Sequence, residues 1–376
     1  MRYFLIAGEP SGDLHGANLI KALKQEDATA EFNFWGGDAM AAAAGEANLL
    51  KHYRESSFFG VIEVLRNLRT ISKQLEECKH NIKEFRPDVV ILIDYPGFNM
   101  KIARFAKEQG IKTFYYIAPK VWASRSGRIK AMRRYIDKLF IIFPFEQEYF
   151  GERGIEPCFC GNPITDALAA RVEALPTREE FVERNKLSDK PIIALLAGSR
   201  RSEIRANLPL MLSISRSFPN HQFVVAGVSW LEQEEYKRII EGSNIRLIFD
   251  QTYELLTSAE AAVVTSGTAT LETALLNIPE VVVYRVNPLL QLLRPLIIHT
   301  EFISLVNINL HRESVREIVQ TSFDPKDAIE ALSAIVEGGR ERERMFRDFA
   351  ELRTIIGESG ASGRFAAKMV EWLRIH

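Results

Sequence analysis

The sequence predicts an α/β protein with two doubly wound, parallel-sheet domains. Apolar, β-branched runs followed by a short turn and a helical segment recur along the chain, which is the pattern of βαβ units. A length of 376 residues is sufficient for two domains with separate cores. Strand–turn–helix junctions rich in glycine, serine or arginine occur in both halves, at 8–13, 197–201 and 266–268.

The composition excludes several classes of protein. An apolar content of 47% and a charged content of 26% are typical of a soluble globular protein. A net charge of −1 argues against a general nucleic-acid binder. The three cysteines have neither a disulfide framework nor zinc spacing. No apolar run reaches membrane-spanning length, since Arg294 interrupts 288–298. We therefore expect a cytoplasmic protein that at most lies on a membrane.

The chain opens with an expected strand at 2–7 and an expected helix at 14–24. The turn between them, Gly8–Asp13, has the sequence GEPSGD, whose residues permit sharp backbone geometry. The glycine spacing differs from the dinucleotide fingerprint G-x-G-x-x-G, so we do not infer NAD. His15, early in the helix, is either an acid/base or a surface or packing histidine.

The segment 55–77 is expected to be a helix with an unusually wide apolar face. Between 58 and 65 it is apolar nearly all round, whereas a core-facing helix needs only a stripe. Either the helix is deeply buried, or its surface holds acyl chains or dips into a membrane. In the second case the lipid-facing residues are Phe58, Phe59, Ile62, Leu65 and Leu68.

The expected strand at 87–93 is fully apolar, as in a parallel sheet covered on both faces. It ends at Asp94, and ligands of doubly wound sheets bind outside the carboxyl ends of the strands. An aspartate there either caps the following turn or acts as a general base, and we prefer the base.

The rest of the first half contains expected strands at 112–117, 139–143 and 156–160. From 120 to 136 there are six basic residues and no acidic one. This stretch is either a solvated helix face or a site for an anionic headgroup.

The second half begins with a charged helical segment, 166–190, in which Thr177 and Glu180 have capping-box spacing. An expected strand at 191–196 leads into AGSRR at 197–201, a candidate phosphate loop with two guanidinium groups. Further strands are expected at 222–227 and 245–250.

The stretch 261–272, AAVVTSGTATLE, predicts a strand, a turn at Ser266, Gly267 and Thr268, and a helix at 269–276. The N-terminus of such a helix attracts an anion such as diphosphate. Glu272 does not have the spacing of a capping-box glutamate. Its carboxylate could instead accept hydrogen bonds from the two hydroxyls of a ribose. A turn without phosphate, followed by an exposed glutamate, remains the alternative at this point.

Beyond 285 we expect a loop at 303–309 and terminal helices after 325. A glycine-rich break at 357–363 separates the last two helices. Phe365, Met369, Val370 and Leu373 form an apolar face on the last one, which must dock on another element.

Six motifs occur in an order that resembles one family. They are AGEPSGDLHG, LIDYPGFN, APKVWA, GNPITD, AGSRRSEI and TSGTATLE. From residue 3 to about 320 the chain is similar to the lipid-A-disaccharide synthases, bacterial glycosyltransferases of family 19 with the GT-B fold. The resemblance implies two Rossmann-like domains, 1–168 and 169–340, facing across a cleft. It also implies that helices in 341–376 cross back to the first domain.

The same resemblance implies the reaction and its site. UDP-2,3-diacylglucosamine and 2,3-diacylglucosamine 1-phosphate would give a β-1,6 disaccharide 1-phosphate and UDP, with inversion, without metal or other cofactor, at the cytoplasmic face of the inner membrane. Asp94 would be the base. The substrate-binding residues would be Arg200, Ser266, Gly267, Thr268, Glu272, Asn307, Glu9, Ser11, Gly12 and His15. No nucleic acid is expected, and a homodimer is left open.

The sequence departs from the family motifs at several positions. Gly97 replaces the second aspartate of D-x-P-D-F-N, which argues against any mechanism that uses two carboxylates. The other departures are Ala118, Lys120, Ser124, Ala197 and Val306. None of these changes removes a predicted UDP ligand.

Two other functions compete with this one. A UDP-N-acetylglucosamine 2-epimerase, or another GT-B transferase with a soluble acceptor, would need no acyl-binding surface, so the segment 58–68 would be buried. A non-catalytic UDP-sugar or lipid-binding protein would keep its role after Asp94→Asn.

Overall fold

The structure, a computed structural model, describes residues 1–56, 67–122, 126–172, 174–285, 301–320 and 324–376. The chain divides into two compact units. The first comprises Met1–Ala167 and Ile356–His376, and the second comprises Leu168–Ile355. Phe58, Phe59, Ile62 and Leu65 lie outside the described residues.

The first unit is built on a sheet of seven parallel strands in the order β3-β2-β1-β4-β5-β6-β7. The strands are β1 Arg2–Ala7, β2 Glu31–Gly36, β3 Leu49–His52, β4 Val89–Ile93, β5 Lys112–Tyr116, β6 Lys138–Ile141 and β7 Pro157–Phe159. The central strand β4 is buried along its whole length, because helices cover both faces of the sheet. The strand order reverses between β1 and β4, which makes that junction the switch point of the unit.

The helices of the first unit connect successive strands. They are Pro10–Glu26, Asp38–Ala44, Tyr53–Ser56, Leu68–Phe85, Pro96–Glu108, Ile129–Tyr135, Phe145–Gly151 and Ile164–Val172, whose last residues enter the second unit. Short 3-10 turns occupy Glu46–Asn48 and Ser126–Arg128.

The last helix, Ala361–Ile375, packs on Pro10–Glu26 of the first unit. Phe365 and Met369 are fully buried there, and the Phe365 ring lies 5.1 Å from that of Tyr116. The carboxylate of Asp166 accepts hydrogen bonds from the backbone N–H of residues 360, 361 and 362, at 2.5, 3.1 and 2.8 Å. The predicted return of the last helix to the first domain is confirmed.

The second unit contains a sheet of six parallel strands in the order β10-β9-β8-β11-β12-β13. The strands are β8 Ile192–Leu196, β9 Gln222–Gly227, β10 Arg246–Phe249, β11 Ala261–Thr265, β12 Glu280–Arg285 and β13 Arg316–Gln320. Its helices are Arg178–Arg184, Arg201–Ser215, Gln233–Ile240, Thr252–Ser258, Thr268–Leu275, Leu305–Leu310, Lys326–Ser333 and Arg342–Ile356. The order reverses between β8 and β11, so two Rossmann-like domains are confirmed.

The helix Arg342–Ile356, except for its last residue, belongs to the second unit, whereas the helices in 341–376 were all expected to pack on the first domain. Polar contacts explain the difference. Arg344 Nη2 donates to the carbonyl of Ser314 at 3.1 Å, and Asp348 accepts from Arg312 at 2.8 Å. These contacts tie the helix to the segment before β13.

Two predicted elements differ in extent or type. The expected loop at 303–309 contains the helix Leu305–Leu310, because Ser304 Oγ caps it by accepting from Asn307 N–H at 3.2 Å. In place of one helix at 55–77, the described residues hold Tyr53–Ser56 and Leu68–Phe85. The second of these ends eight residues later than expected, at Phe85 rather than at 77, because its buried stripe continues to Ile82 and Phe85. Among the described residues, no helix is both long enough and apolar enough to cross a bilayer.

Candidate functional site

The candidate site of the first unit lies where β1 and β4 end side by side. Ala7 pairs with Ile93, so the residues that follow, Gly8 and Asp94, leave the sheet next to each other. A Cβ on Gly8 would lie 2.3 Å from Cγ of Tyr95. Only glycine therefore allows the Tyr95 ring to pack over the first loop, and this contact fixes the two loops against each other.

Asp94 is held by its backbone. Asp94 and Tyr95 both have left-handed φ values, 43° and 46°, which are uncommon for residues other than glycine. The Asp94 carbonyl accepts from Tyr115 Oη at 2.6 Å and from Asn99 Nδ2 at 2.8 Å. These two bonds hold the strained turn, and a strained residue at a strand end is typical of a functional site.

The carboxyl of Asp94 is a stronger base than an ordinary aspartate. Burial, then the negative charge of Glu9 and a hydrogen bond with it, raise its pKa to about 6, against the opposing charge of Lys120. A pKa near the working pH suits a general base. The structure thus supports the interpretation of Asp94 as a base over that of a capping residue.

The other residues of the first loop divide into structural and exposed ones. Asp13 accepts from the N–H groups of residues 37, 39 and 40 at 2.7, 3.0 and 3.1 Å, and so caps the helix Asp38–Ala44. A Cβ on Gly12 would be 3.3 Å from Cβ of Ala7, so Gly12 permits close helix–strand packing. Ser11 is exposed and remains accessible to a ligand.

His15 is a neutral imidazole at the start of this helix. Burial lowers its pKa to about 4, against the charge of Asp166. Its Nδ1 is buried and has no hydrogen-bond partner among the described residues. His15 therefore adds no positive charge to the site near neutral pH, and its contact with a substrate stays a prediction.

Sequence reasoning missed a second buried carboxylate, Glu146, beyond the end of β6. Its oxygens accept from Trp122 Nε1 at 3.0 Å and from the N–H groups of Ile142 and Phe143 at 3.2 and 3.1 Å. Burial raises its pKa to about 7, although these donors and Lys120 oppose the rise. The signal was available, because Glu146 follows a buried strand as Asp94 does.

The basic stretch does not form one surface. Lys120 is exposed and acts on Asp94, whereas Arg133 lies beside Gly154 and Arg134 lies over the Tyr135 ring. Arg125 lies outside the described residues. Among the described residues of this stretch, Lys120 acts on Asp94 itself, and the charge of Arg128 acts on Tyr115, whose hydroxyl donates to the Asp94 carbonyl.

In the second unit, the loop after β8 presents two exposed arginines. The Arg200 side chain is 63% exposed and lies 3.6 Å from Glu203. The Arg201 side chain is 48% exposed and lies 3.8 and 3.6 Å from Glu232 and Glu235. Arg200 is thus the more exposed of the two guanidiniums, and it has fewer acidic neighbours among the described residues.

The loop after β11 lies at the same switch point, since β8 and β11 are neighbours. Ser266 Oγ donates to the carbonyl of Ile303 at 2.8 Å, which anchors the loop. A Cβ on Gly267 would meet nothing within 4 Å, and Thr268 begins the following helix and is exposed. The helix N-terminus therefore faces open space, as anion binding requires.

Glu272 lies on the first turns of that helix and is positioned by Tyr253. Tyr253 Oη donates to Glu272 Oε1 at 2.5 Å, and the Arg171 guanidinium stacks 4.7 Å from the Tyr253 ring centre. Burial raises the pKa of Glu272, against the Tyr253 hydrogen bond and the charge of Arg171. Neither Tyr253 nor Arg171 had a recognisable sequence signal, because neither belongs to a motif.

Asn307 has a structural role in the loop before β13. It is fully buried, and its amide donates to the Val315 carbonyl and to Glu317 at 2.8 and 2.9 Å. Its oxygen accepts from the N–H groups of Ser314 and Val315 at 2.8 and 2.9 Å. With these groups paired internally, Asn307 braces the loop before β13, and its contact with a substrate stays a prediction.

Across the described ranges, no group of three or more His, Cys, Asp or Glu side chains is arranged to hold a metal ion.

Comparison with known proteins assigns this arrangement to a family. A family model described as lipid-A-disaccharide synthetase matches residues 3–362. The chain belongs to this family. A lipid-A-disaccharide synthase of Myxococcus xanthus is 36% identical over 99% of the chain and 97% of its own length. One from Coxiella burnetii is 33% identical over 97% of the chain and 96% of its own length. Members of the family are glycosyltransferases, and so is this chain.

Solved structures support the fold. The UDP-GlcNAc 2-epimerase of Neisseria meningitidis bound to UDP-GlcNAc superposes with a TM-score of 0.70 at 13% identity, covering 99% of this chain and 100% of that one. The S. aureus MnaA–UDP structure gives 0.70 at 15% identity, covering 100% and 98%. At such identities the likeness concerns the fold alone, so it does not favour the epimerase alternative over the lipid-A-disaccharide synthase family.

Proposed function

We propose that the chain joins UDP-2,3-diacylglucosamine to 2,3-diacylglucosamine 1-phosphate. The products are the β-1,6-linked disaccharide 1-phosphate and UDP, with inversion at the anomeric carbon. A UDP-sugar donor and a sugar-phosphate acceptor follow from family membership, and the acyl groups are the more detailed part of the proposal.

The observation that carries the chemistry is Asp94, a raised-pKa carboxyl at the β1–β4 switch point. Asp94 takes the proton from the acceptor hydroxyl. The hydroxyl oxygen forms the new bond to the anomeric carbon while the bond to the UDP oxygen breaks, and UDP leaves with that electron pair. General-base assistance of this kind contributes roughly 10²–10⁴-fold to a rate.

The donor is assigned to the second unit. Arg200 and the helix N-terminus at 266–268 meet the diphosphate charge, and Glu272, held by Tyr253, accepts the ribose hydroxyls. An exposed guanidinium and free N–H groups are suited to phosphate oxygens. We propose that these groups suffice without a metal ion.

We assign the binding of the acceptor and the contact with the membrane to the segment 58–68 and Lys120. Leu68 is 54% exposed, and the sequence from 58 to 65 is apolar nearly all round. Each buried acyl CH₂ contributes about 0.8 kcal/mol, so burying part of one chain outweighs a single polar contact. This supports peripheral contact with the cytoplasmic face of the inner membrane.

The deciding experiment incubates the protein with both substrates and detects the disaccharide by mass spectrometry. Wild-type protein is expected to form it, and Asp94→Asn is expected to lose at least about 100-fold in kcat while still binding UDP. Asp38→Asn, which changes an exposed acid of the same unit, is the matched control. Absence of product with wild-type protein contradicts the function. Full turnover by Asp94→Asn contradicts the base.

A further inference from the structure

The carboxyl of Glu9 has a place in the structure that helix capping does not explain. Glu9 is the N-cap residue of the helix Pro10–Glu26, and its backbone carbonyl accepts the first helical bond from Asp13 N–H at 2.9 Å. A side chain at this position commonly accepts from the first turn, but that of Glu9 makes no such bond. Its charge and a hydrogen bond with it instead raise the pKa of the Asp94 carboxyl.

The strand register places Glu9 and Asp94 on neighbouring loops. Glu9 is two residues beyond Ala7 on β1, and Asp94 is one residue beyond Ile93 on β4, to which Ala7 is paired. The Tyr95 ring packs over Gly8 in the space where a Cβ would be. The two loops are therefore in contact through the residues next to the pair, Gly8 and Tyr95.

Charged and titratable groups reach Asp94 from each neighbouring element. Glu9 comes from the first loop, Lys120 from the loop after β5, and Tyr115 from β5 through its hydroxyl bond to the Asp94 carbonyl. Glu146, beyond β6, is coupled to the same Lys120. Two carboxyls in contact do not both ionise freely, so a proton between them is stabilised by both.

We propose that Glu9 and Asp94 form a carboxyl pair that holds the abstracted proton, with Glu9 setting the base strength of Asp94. This rests on the proposed function of Asp94. When Asp94 takes the proton from the acceptor hydroxyl, the new O–H donates to the Glu9 carboxylate. The hydrogen bond forms as the proton arrives, so it stabilises the transition state more than the ground state.

Position 97 does not supply a second carboxylate in this chain, because it is a glycine and is exposed. A Cβ there would have nothing within 4 Å. Of the described acidic residues, Glu9 is the one whose hydrogen bond and charge both raise the pKa of Asp94.

The test is the pH dependence of kcat/KM for disaccharide formation. In Glu9→Gln a neutral amide donates to the Asp94 carboxylate, so the acidic limb should move to lower pH by roughly one unit or more. Because Asp94 is then a weaker base, the plateau at high pH should fall by about 3–10-fold. Lys120→Gln removes the opposing positive charge and should move the limb to higher pH.

A purely structural role for Glu9 predicts lower activity at every pH with the limb unmoved, and that result overturns the proposal. If wild-type protein makes no disaccharide, the proposed function fails instead, and the two failures are thereby distinguished.

A second measurement does not depend on whether a variant at position 9 folds. In wild-type protein carrying ¹³C-labelled aspartate, with Asp94→Asn used for assignment, the Asp94 carboxyl resonance should titrate near pH 6 and follow a two-step curve. A single step near the ordinary aspartate value of about 4 overturns the pair.

Discussion

At the scale of single residues, two neighbouring arginines differ in their exposure and in their acidic neighbours. Arg200 and Arg201 are consecutive, yet Arg201 is 48% exposed and lies near Glu232 and Glu235, while Arg200 is 63% exposed and lies near Glu203. The difference follows from the start of the helix at Arg201, which directs successive side chains to different sides. The two residues therefore provide a matched pair for the donor site.

Arg200→Met should weaken UDP binding by roughly 1–3 kcal/mol, the usual loss for a charge-assisted hydrogen bond. Arg201→Met should change UDP affinity little. Isothermal titration calorimetry with UDP, repeated in EDTA, measures both variants and the metal-free assignment together. Equal losses in the two variants contradict the assignment of Arg200, and loss of wild-type binding in EDTA contradicts the metal-free site.

Glu272→Gln should weaken UDP binding by a similar roughly 1–3 kcal/mol. The amide keeps an oxygen for the Tyr253 hydroxyl, so the protein should retain its stability while it loses the charge offered to the ribose. Comparing the affinity for UDP with the affinity for uracil-containing ligands that lack ribose isolates the contact between Glu272 and the ribose. An unchanged UDP affinity tells against a ribose role.

At the scale of elements, the close approach of the first loop to Tyr95 depends on one missing side chain. Gly8→Ala places a methyl group 2.3 Å from the Tyr95 ring, so the ring and the turn at Asp94 must move. Overpacking of this kind costs about 1–3 kcal/mol, and we expect a lower melting temperature and lower kcat. Gly97→Ala, with open space around its Cβ, is the control, and equal effects of both would contradict the argument.

The segment 58–68 can be tested as an element because the predicted lipid contact is separable from UDP binding. Phe59→Ser with Leu65→Ser should reduce co-sedimentation with anionic vesicles and raise the KM for the acylated acceptor, since less apolar surface is offered to the acyl chains. Calorimetric UDP affinity should stay unchanged. Unfolding of the double variant, seen by circular dichroism, would instead indicate a buried helix.

Elements with strong apolar runs were predictable, and those defined by polar contacts were not. The strands β1, β4, β8 and β11 and the turns after them follow from buried runs and turn chemistry. β13 was missed because its burial is only partial. The helix Leu305–Leu310 lies where the sequence predicts a loop, because its cap depends on Ser304, whose N–H donates to Glu317 of β13. Asp94 could be identified from the sequence because it follows a strong apolar run. Its contact with Glu9 could not, because that contact depends on the register of β1 against β4.

At the scale of the whole molecule, each unit should respond separately to damage in its own core. Phe365 is buried in the first unit and Phe349 in the second, and replacing either by alanine should cost about 3–5 kcal/mol. Hydrogen exchange followed by mass spectrometry should show faster exchange in 2–26 for Phe365→Ala and in 261–285 for Phe349→Ala. The same exchange pattern in both variants would contradict two separate cores.

The return of the last helix to the first unit has a consequence for synthesis on the ribosome. Asp166 and Gly360 are 194 residues apart, and translation at roughly 5–20 residues per second separates their emergence by about 10–40 s. During that interval the apolar side of Pro10–Glu26 lacks its cover while the second unit is already being made. The nascent chain should therefore be a chaperone client at this stage, and stalling translation before residue 361 should increase capture of the chain by a hydrophobic-surface chaperone.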